Sequence, residues 1–338
     1  MTDIERVAIG TTKPIGSTGR MRELAALTDQ LRTEIPPGAR VGYVDYPMHG
    51  NVGDLLIYLG TLDFFEANDN EITSSFCIFD AGPRAFASLA DCDVIACHGG
   101  GNFGDIYPAH QNLREEIARR FPDKPVVVMP QSFHFGSDAA LRRSAEHFCR
   151  HPNLTIAVRD PHSERLARTY FTDKVLLVPD MAHRLYNHFE PVRSRPGGDP
   201  LYLMRRDVEA TNATRDVGVA GRDWSDLLTV ADKAAIGRYR LASIVAGRLN
   251  VTNLSIQRGH QRVIERVIND LAARLVAHDP WITSRLHGAI FGLLLGRQVT
   301  LHDNSYGKNS RYFTQWGKGI DTLRLHLADQ TRVRDHAA

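Results

Sequence analysis

Residues 40–67 read RVGYVDYPMHGNVGDLLIYLGTLDFFEA, and the change of pattern inside this stretch decides the fold. Residues 40–46 are rich in β-branched and aromatic side chains and predict a strand, 47–53 break it, and a helix is predicted from about Asp54 to Asn68. The same unit recurs downstream. Apolar or β-branched runs at 75–79, 93–97, 126–129, 155–158 and 175–178 are separated, for the most part, by helical stretches at 83–89, 111–121, 139–150 and 161–171. These runs are apolar throughout instead of alternating, so they need cover on both faces. Strands of that kind separated by helices predict a parallel sheet in a Rossmann-like domain.

A run of breakers at 193–200 (RSRPGGDP) marks a boundary, and a second alternating α/β region follows. It opens with a strand at 201–204, passes through a polar stretch at 206–223 read as an irregular insertion, and continues with a helix at 227–249 and a strand-like run at 252–256. Val263, Val267, Leu271 and Leu275 stand at four-residue steps and predict an amphipathic helix over 257–278. A short strand at 281–283, a buried helix at 289–296 and a strand at 298–301 come next, with a helical tail from 309 onward. The expected division is a disordered lead-in (1–19), a first Rossmann-like domain (20–192), a linker (193–200), a second Rossmann-like domain (201–310) and a helical tail packing back across both (311–338).

Lys plus Arg number 41 against 39 for Asp plus Glu, a net charge of +2 that gives no field pointing to nucleic acid. No apolar segment approaches the roughly 20 residues a membrane span needs. Cys77, Cys92, Cys97 and Cys149 form no CxxC pair and read as small buried hydrophobes. The histidines show no HExxH spacing, so no metal site is expected.

Ligands of parallel sheets bind beyond the carboxyl ends of the strands, so the residues after each strand are the candidates. After the first lies His49-Gly50-Asn51-Val52-Gly53-Asp54, and after the third His98-Gly99-Gly100-Gly101-Asn102-Phe103-Gly104-Asp105. Glycines there let the backbone approach a ligand, and the flanking Asn and Asp suit hydroxyl groups. Neither loop has GxGxxG spacing or a Walker lysine, which argues against a dinucleotide or nucleotide cradle. Tight turns alone, and helix capping by Asp54 and Asp160, are the plainer alternatives. Gln131 and His134 follow the fourth strand, and Arg205 and Arg206 follow the first strand of the second region. Arg285 and His287 sit in Thr283-Ser284-Arg285-Leu286-His287-Gly288 at a strand–helix junction, where free N–H groups, a forked donor and a mobile proton coincide. Lys308 follows the last strand.

Taken in order, GNVGD (50–54), HGGGNFGD (98–105), PQS (130–132), RD (159–160), PD (179–180), SRLHG (284–288) and SYGK (305–308) resemble the bacterial polysaccharide pyruvyl transferases. After PQS, however, Phe133-His134-Phe135 stands where many members have Gly-Pro. The resemblance implies a GT-B-like fold, two Rossmann-like domains facing a cleft, with the acceptor on the first and the donor on the second. It implies phosphoenolpyruvate as co-substrate, no further cofactor, and transfer of pyruvate to an exopolysaccharide sugar as a ketal.

Carried over by position, Arg285 and His287 belong to the donor site, His287 as general acid, with Arg205, Arg206, Ser284, Gly288 and Lys308 assisting. Asn51, Asp54, Gly100, Gly101, Asn102, Asp105, Gln131 and His134 then face the acceptor. The implied acceptor is a lipid-linked oligosaccharide at the inner face of the cytoplasmic membrane, which places the protein in the cytoplasm. Arg311, Tyr312, Phe313, Trp316 and Lys318 in the tail could touch lipid headgroups, although a packed helix accounts for them better. A glycosyltransferase using a nucleotide sugar, and a non-catalytic carbohydrate-binding protein, are the competing functions.

Overall fold

The computed structural model describes residues 17–195, 197–206, 221–251, 254–303 and 307–326. Among them two sheets form, and every strand pairing in both is parallel. The first holds β1 (Arg40–Val44), β2 (Glu71–Phe76), β3 (Val94–Cys97), β5 (Val126–His134), β6 (Leu154–Val158) and β7 (Val175–Leu177) in the order β2-β1-β3-β5-β6-β7, with β4 (Gly100–Gly104) beside the end of β5. The second runs β11-β10-β9-β8, from β8 (Leu201–Leu203), β9 (Trp281–Thr283), β10 (Val299–His302) and β11 (Leu323–His326).

Helices α1 (Ser17–Leu27), α2 (Val52–Ala67), α3 (Pro83–Ala87), α4 (Pro108–Arg120), α5 (Asp138–Phe148), α6 (Pro161–Tyr170) and α7 (Glu190–Arg193) belong to the first half. The second half has α8 (Trp224–Leu227), α9 (Val230–Arg248), α10 (Leu254–Leu275), α11 (Leu286–Leu294) and α12 (Lys308–Trp316).

Two apolar cores form, and the surface dividing them is the first sheet itself. Successive residues of a strand face opposite sides. Val41, Val94, Val127 and Ala157 enter one core; Val44, Ile95, Val128 and Ile156 enter the other. The first core continues through α2 and the 3₁₀ turn Met181–Tyr186 into Leu203, Trp281, Phe291 and Leu301 of the second sheet and its helices. Helix α2 is therefore apolar on nearly every side, and Gly60 stands where a side chain would overlap the carbonyl of Met181. The halves are held together by continuous hydrophobic packing.

Several expectations change. The glycine-rich segment after β3 is not all loop: Gly100–Gly104 forms β4, and the strand predicted at 126–129 extends to His134 to pair with it. Phe103 and Phe133 stack at 3.9 Å across this pair within an aromatic cluster that includes Phe148 and Phe171, and that burial offsets the low strand propensity of glycine. Residues 254–256 are helical, not a strand, because they open α10, whose Gln257 donates to the Tyr58 hydroxyl at 2.7 Å. Helix α1 ends at Leu27 and is followed by a 3₁₀ segment, Thr28–Thr33.

The tail is helical only to Trp316. Gly317 and Gly319, the latter at φ +87°, turn the chain, and Leu323–His326 adds a parallel edge strand beside β10. Tyr312, Phe313 and Trp316 are buried, so these aromatics pack inward instead of meeting lipid. Three of the cysteines are buried as expected, whereas Cys149 is exposed. The expectations for 1–16, 207–220 and 327–338 lie outside the described residues.

Candidate active site

Helix α2 begins in GNVGD. Asn51 is its N-cap: its Oδ1 accepts from the Gly53 amide at 3.1 Å, and its Nδ2 donates to Asp54 Oδ2 at 2.8 Å. Such a cap is worth about 1 kcal/mol, and here it also aims a carboxylate. Burial pushes the Asp54 carboxyl up, but charge interactions with His49, His287, His98 and Lys308 outweigh it and hold the group below its usual range. His49 Nε2 lies 3.7 Å from Asp54 Oδ2.

Helix α11 begins in SRLHG. Arg285 occupies its N-cap position, and its guanidinium is gripped by Asp223, Nε to Oδ1 at 2.6 Å and the NH2 nitrogen to Oδ2 at 2.7 Å. Asp223 also caps α8, accepting from the Trp224 amide at 2.6 Å. His287 Nε2 lies 3.2 Å from Asp180 Oδ2. Asp180 is buried, pairs with Arg159, and accepts from the Ala182 amide at 2.9 Å. Burial works against its charge, but His287, Arg159 and the Ala182 amide together hold it far below the usual carboxylate range. An anion thus stands behind the imidazole and orients the ring.

Arg159 completes this layer. It is fully buried, its Nε donates to Ser132 Oγ at 2.9 Å, and its NH2 nitrogen has no partner among the described residues. That nitrogen points toward Gly101, standing 3.2 Å from where a Cβ would lie.

These groups surround a cavity of about 400 Å³ between the carboxyl ends of the two sheets. Of the residues predicted from sequence, Asn51, Asp54, Gly101, Asn102, Arg205, Arg285, His287 and Lys308 line it. Asn102 Oδ1 accepts from Arg114 and from Gln131 Nε2, which leaves its NH2 end for the cavity.

Other predicted residues take supporting positions. Gln131 lies beneath, also donating to the His98 carbonyl at 2.9 Å. Ser284 Oγ accepts from the Arg205 amide at 2.8 Å. Gly100 is buried between Ile57 and Asp54, and Gly288 packs on Thr283 and Leu203. Asp105 receives the Gly136 amide at 2.9 Å, and His134 ends β5 against Gly104. Arg206 turns away, its NH1 nitrogen 2.9 Å from Asp226, so of the two adjacent arginines Arg205 is the cavity residue. Asp160 caps α6, as the plainer alternative had it.

His49 and Arg159, strand-end residues to which the sequence assigned no role, and Tyr107, His110, Trp224 and Asn309, which it did not single out, also stand in the cavity wall. Trp224 and His110 carry no local signal: His110 is placed by Asp45, 2.6 Å from its Nδ1, with Asp45 at φ +68° and also held by Arg114. Among the described residues the wall holds four cationic side chains, Arg159, Arg205, Arg285 and Lys308, against the single carboxylate of Asp54. Among the described residues no group of three His, Cys, Asp or Glu side chains is placed to hold a metal ion. No helix among them is long and apolar enough to cross a membrane.

Residues 51–306, which contain every element of this cavity wall except His49, Lys308 and Asn309, match the sequence model of a family described as polysaccharide pyruvyl transferase. The chain belongs to the polysaccharide pyruvyl transferase family. EpsO of Bacillus subtilis, provisionally named a pyruvyl transferase, is 35% identical over 310 residues, 89% of this chain and 94% of that protein. Pyruvyl transferase 1 of Schizosaccharomyces pombe is 29% identical over 292 residues, 83% of this chain and 70% of its own. A crystal structure of a functionally uncharacterized protein from Klebsiella pneumoniae shares the fold of this polysaccharide pyruvyl transferase family member. It has a TM-score of 0.57 at 19% identity and covers 90% of this chain and 99% of its own.

Proposed function

We propose that the protein transfers pyruvate from phosphoenolpyruvate to a sugar of an exopolysaccharide repeat unit, forming a ketal and releasing phosphate. One observation carries this reading: among the described residues, four cationic side chains and one carboxylate line a single cavity. A donor bearing a phosphate and a carboxylate on three carbons suits forked and point cations in such a setting. Arg285, Arg205, Arg159 and Lys308 would neutralise it.

The methylene carbon of the donor must gain a proton before its C2 becomes electrophilic. His287, oriented by Asp180, is the general acid; such a group contributes about 10²- to 10⁴-fold. One sugar hydroxyl then bonds to C2 and returns its proton to His287; departure of phosphate with its electron pair opens C2 to the second hydroxyl, which closes the ketal and passes its proton to the released phosphate. Asn51, Asp54 and Asn102, with Tyr107 and Trp224 on the same wall, form the acceptor side. On this reading residues 20–192 serve as acceptor lobe and 201–310 as donor lobe of a GT-B-like enzyme in the cytoplasm, working on a lipid-linked oligosaccharide.

The test is incubation with phosphoenolpyruvate and glycan acceptors, following phosphate release and the ketal methyl signal by NMR, beside a parallel assay with sugar nucleotides. Glycosyl transfer in the second assay with no phosphate release in the first overturns the proposal.

A further inference from the structure

Helix α9 leaves an apolar stripe in solvent. Val230 is 83% exposed, Leu241 61%, Val245 45% and Leu249, which follows the helix, 67%. Leu241, Val245 and Leu249 stand at four-residue steps, on one face of the helix, with Ala234 beside them. Lys233, Arg238, Arg240 and Arg248 are exposed around this stripe. The one acid of the helix, Asp232, is buried and consumed by the cap, accepting from the Thr229 amide at 3.0 Å.

The inner side of the helical hairpin is already satisfied. Gly259 of α10 lies against the Tyr239 ring, and Gly247 packs on the Phe79 carbonyl. The neighbouring α10 exposes Arg258, Arg262 and Arg266, again at four-residue steps. The outer face therefore contributes nothing to the fold that would explain leucines in water, and its exposed charge is predominantly positive, with Asp270 one step beyond Arg266 on α10 as an acid at its edge. Two copies of this chain meeting through the face would oppose arginine to arginine, which is repulsive. An anionic surface is complementary to it, and apolar side chains flanked by arginines and lysines are the pattern of a helix lying in a bilayer interface.

We infer that α9 docks the protein on an anionic phospholipid bilayer, inserting Leu241, Val245 and Leu249 and holding headgroups with Arg238, Arg248 and Lys233. The placement also bears on the cavity. Helix α9 starts just after Leu228, whose side chain meets Gly50 in the loop carrying His49 and Asn51. Docking would bring a lipid-held acceptor close to the cavity; that clause alone rests on the proposed transfer reaction.

The test is co-sedimentation of the full chain with vesicles of phosphatidylcholine alone and of phosphatidylcholine with phosphatidylglycerol, at low and high salt. Binding is expected to the anionic vesicles only, weakened by salt. Arg238→Gln with Arg248→Gln should lower partitioning by about 30-fold, and Leu241→Glu with Leu249→Glu should abolish it, with thermal melts showing both variants folded. No binding of the wild-type chain to anionic vesicles overturns the inference, as does a folded leucine variant that still binds fully. A dimer in solution that the leucine variant dissolves also overturns it, because the face would then pair two copies. Turnover of a water-soluble acceptor should be unchanged in both variants, so vesicle binding and pyruvyl transfer can fail independently.

Discussion

Gly53 and His287 occupy adjoining space: a Cβ on Gly53 would lie 2.5 Å from His287 Nδ1. The same relation recurs at Gly101, where a Cβ would collide with the Lys308 ammonium. At these two positions the glycines of the first half make room for functional side chains of the second. Sequence reading assigned them to close approach of a ligand. The structure shows an additional close approach, that of the other half of the protein.

Gly53→Ala is accordingly expected to displace the imidazole while leaving the helix intact, since alanine is a good helix former. A shift of about 1 Å at a reacting group can cost about 10²-fold. Steady-state kinetics should show kcat/KM lowered by roughly that factor with a thermal midpoint close to wild type. Unchanged kinetics would mean that His287 can move without consequence.

Asp180→Asn keeps the shape but removes the charge behind His287. If the imidazole donates the proton, kcat should fall by about 10²-fold or more while the KM for phosphoenolpyruvate changes little. Asp180→Glu should recover part of the loss. A change confined to KM would place Asp180 in binding instead.

Arg285 is held by Asp223 in a two-point pair. Arg285→Lys keeps the charge and loses the fork, so donor affinity by calorimetry should drop about 10-fold with kcat less affected. Asp223→Asn should weaken donor binding in the same direction and also lower stability, because breaking a buried ion pair costs roughly 3–5 kcal/mol. Equal donor affinity in both variants would remove Arg285 from the donor site.

His98, His183 and His260 are each pushed down to about 4 by burial, from an ordinary 6.5. The unfolded chain takes up these protons near pH 6.5, whereas the folded chain takes them up only near 4. Between those values the unfolded state holds more protons, so stability falls as pH falls, by up to about 1.4 kcal/mol per histidine per pH unit. Above pH 6.5 the three contribute no slope. Thermal melts should show a midpoint nearly flat above 6.5 and dropping steeply from there to 4; a midpoint unchanged at pH 5 would contradict the burial of neutral imidazoles.

Local pattern was enough to determined extent for the scaffold: β-branched runs, the helical period of Val263, Val267, Leu271 and Leu275, and the strand-end positions of Asn51, Arg205, Arg285 and His287 are all properties of short windows. Windows failed where packing outweighed propensity, as in β4, where stacked phenylalanines hold a glycine-rich strand, and in the tail, where two glycines end the helix and an edge strand follows.

The sequence by itself determined the alternating α/β order and most of the cavity's side chains, because periodicity and chain breakers act over a few residues. Only the tertiary structure decided that Asp180 backs His287, 107 residues away, that Asp223 grips Arg285, 62 residues away, and that Arg205 faces the cavity while Arg206 does not. Such pairings depend on where the sheets meet through the shared core, and no neighbouring residue carries that information.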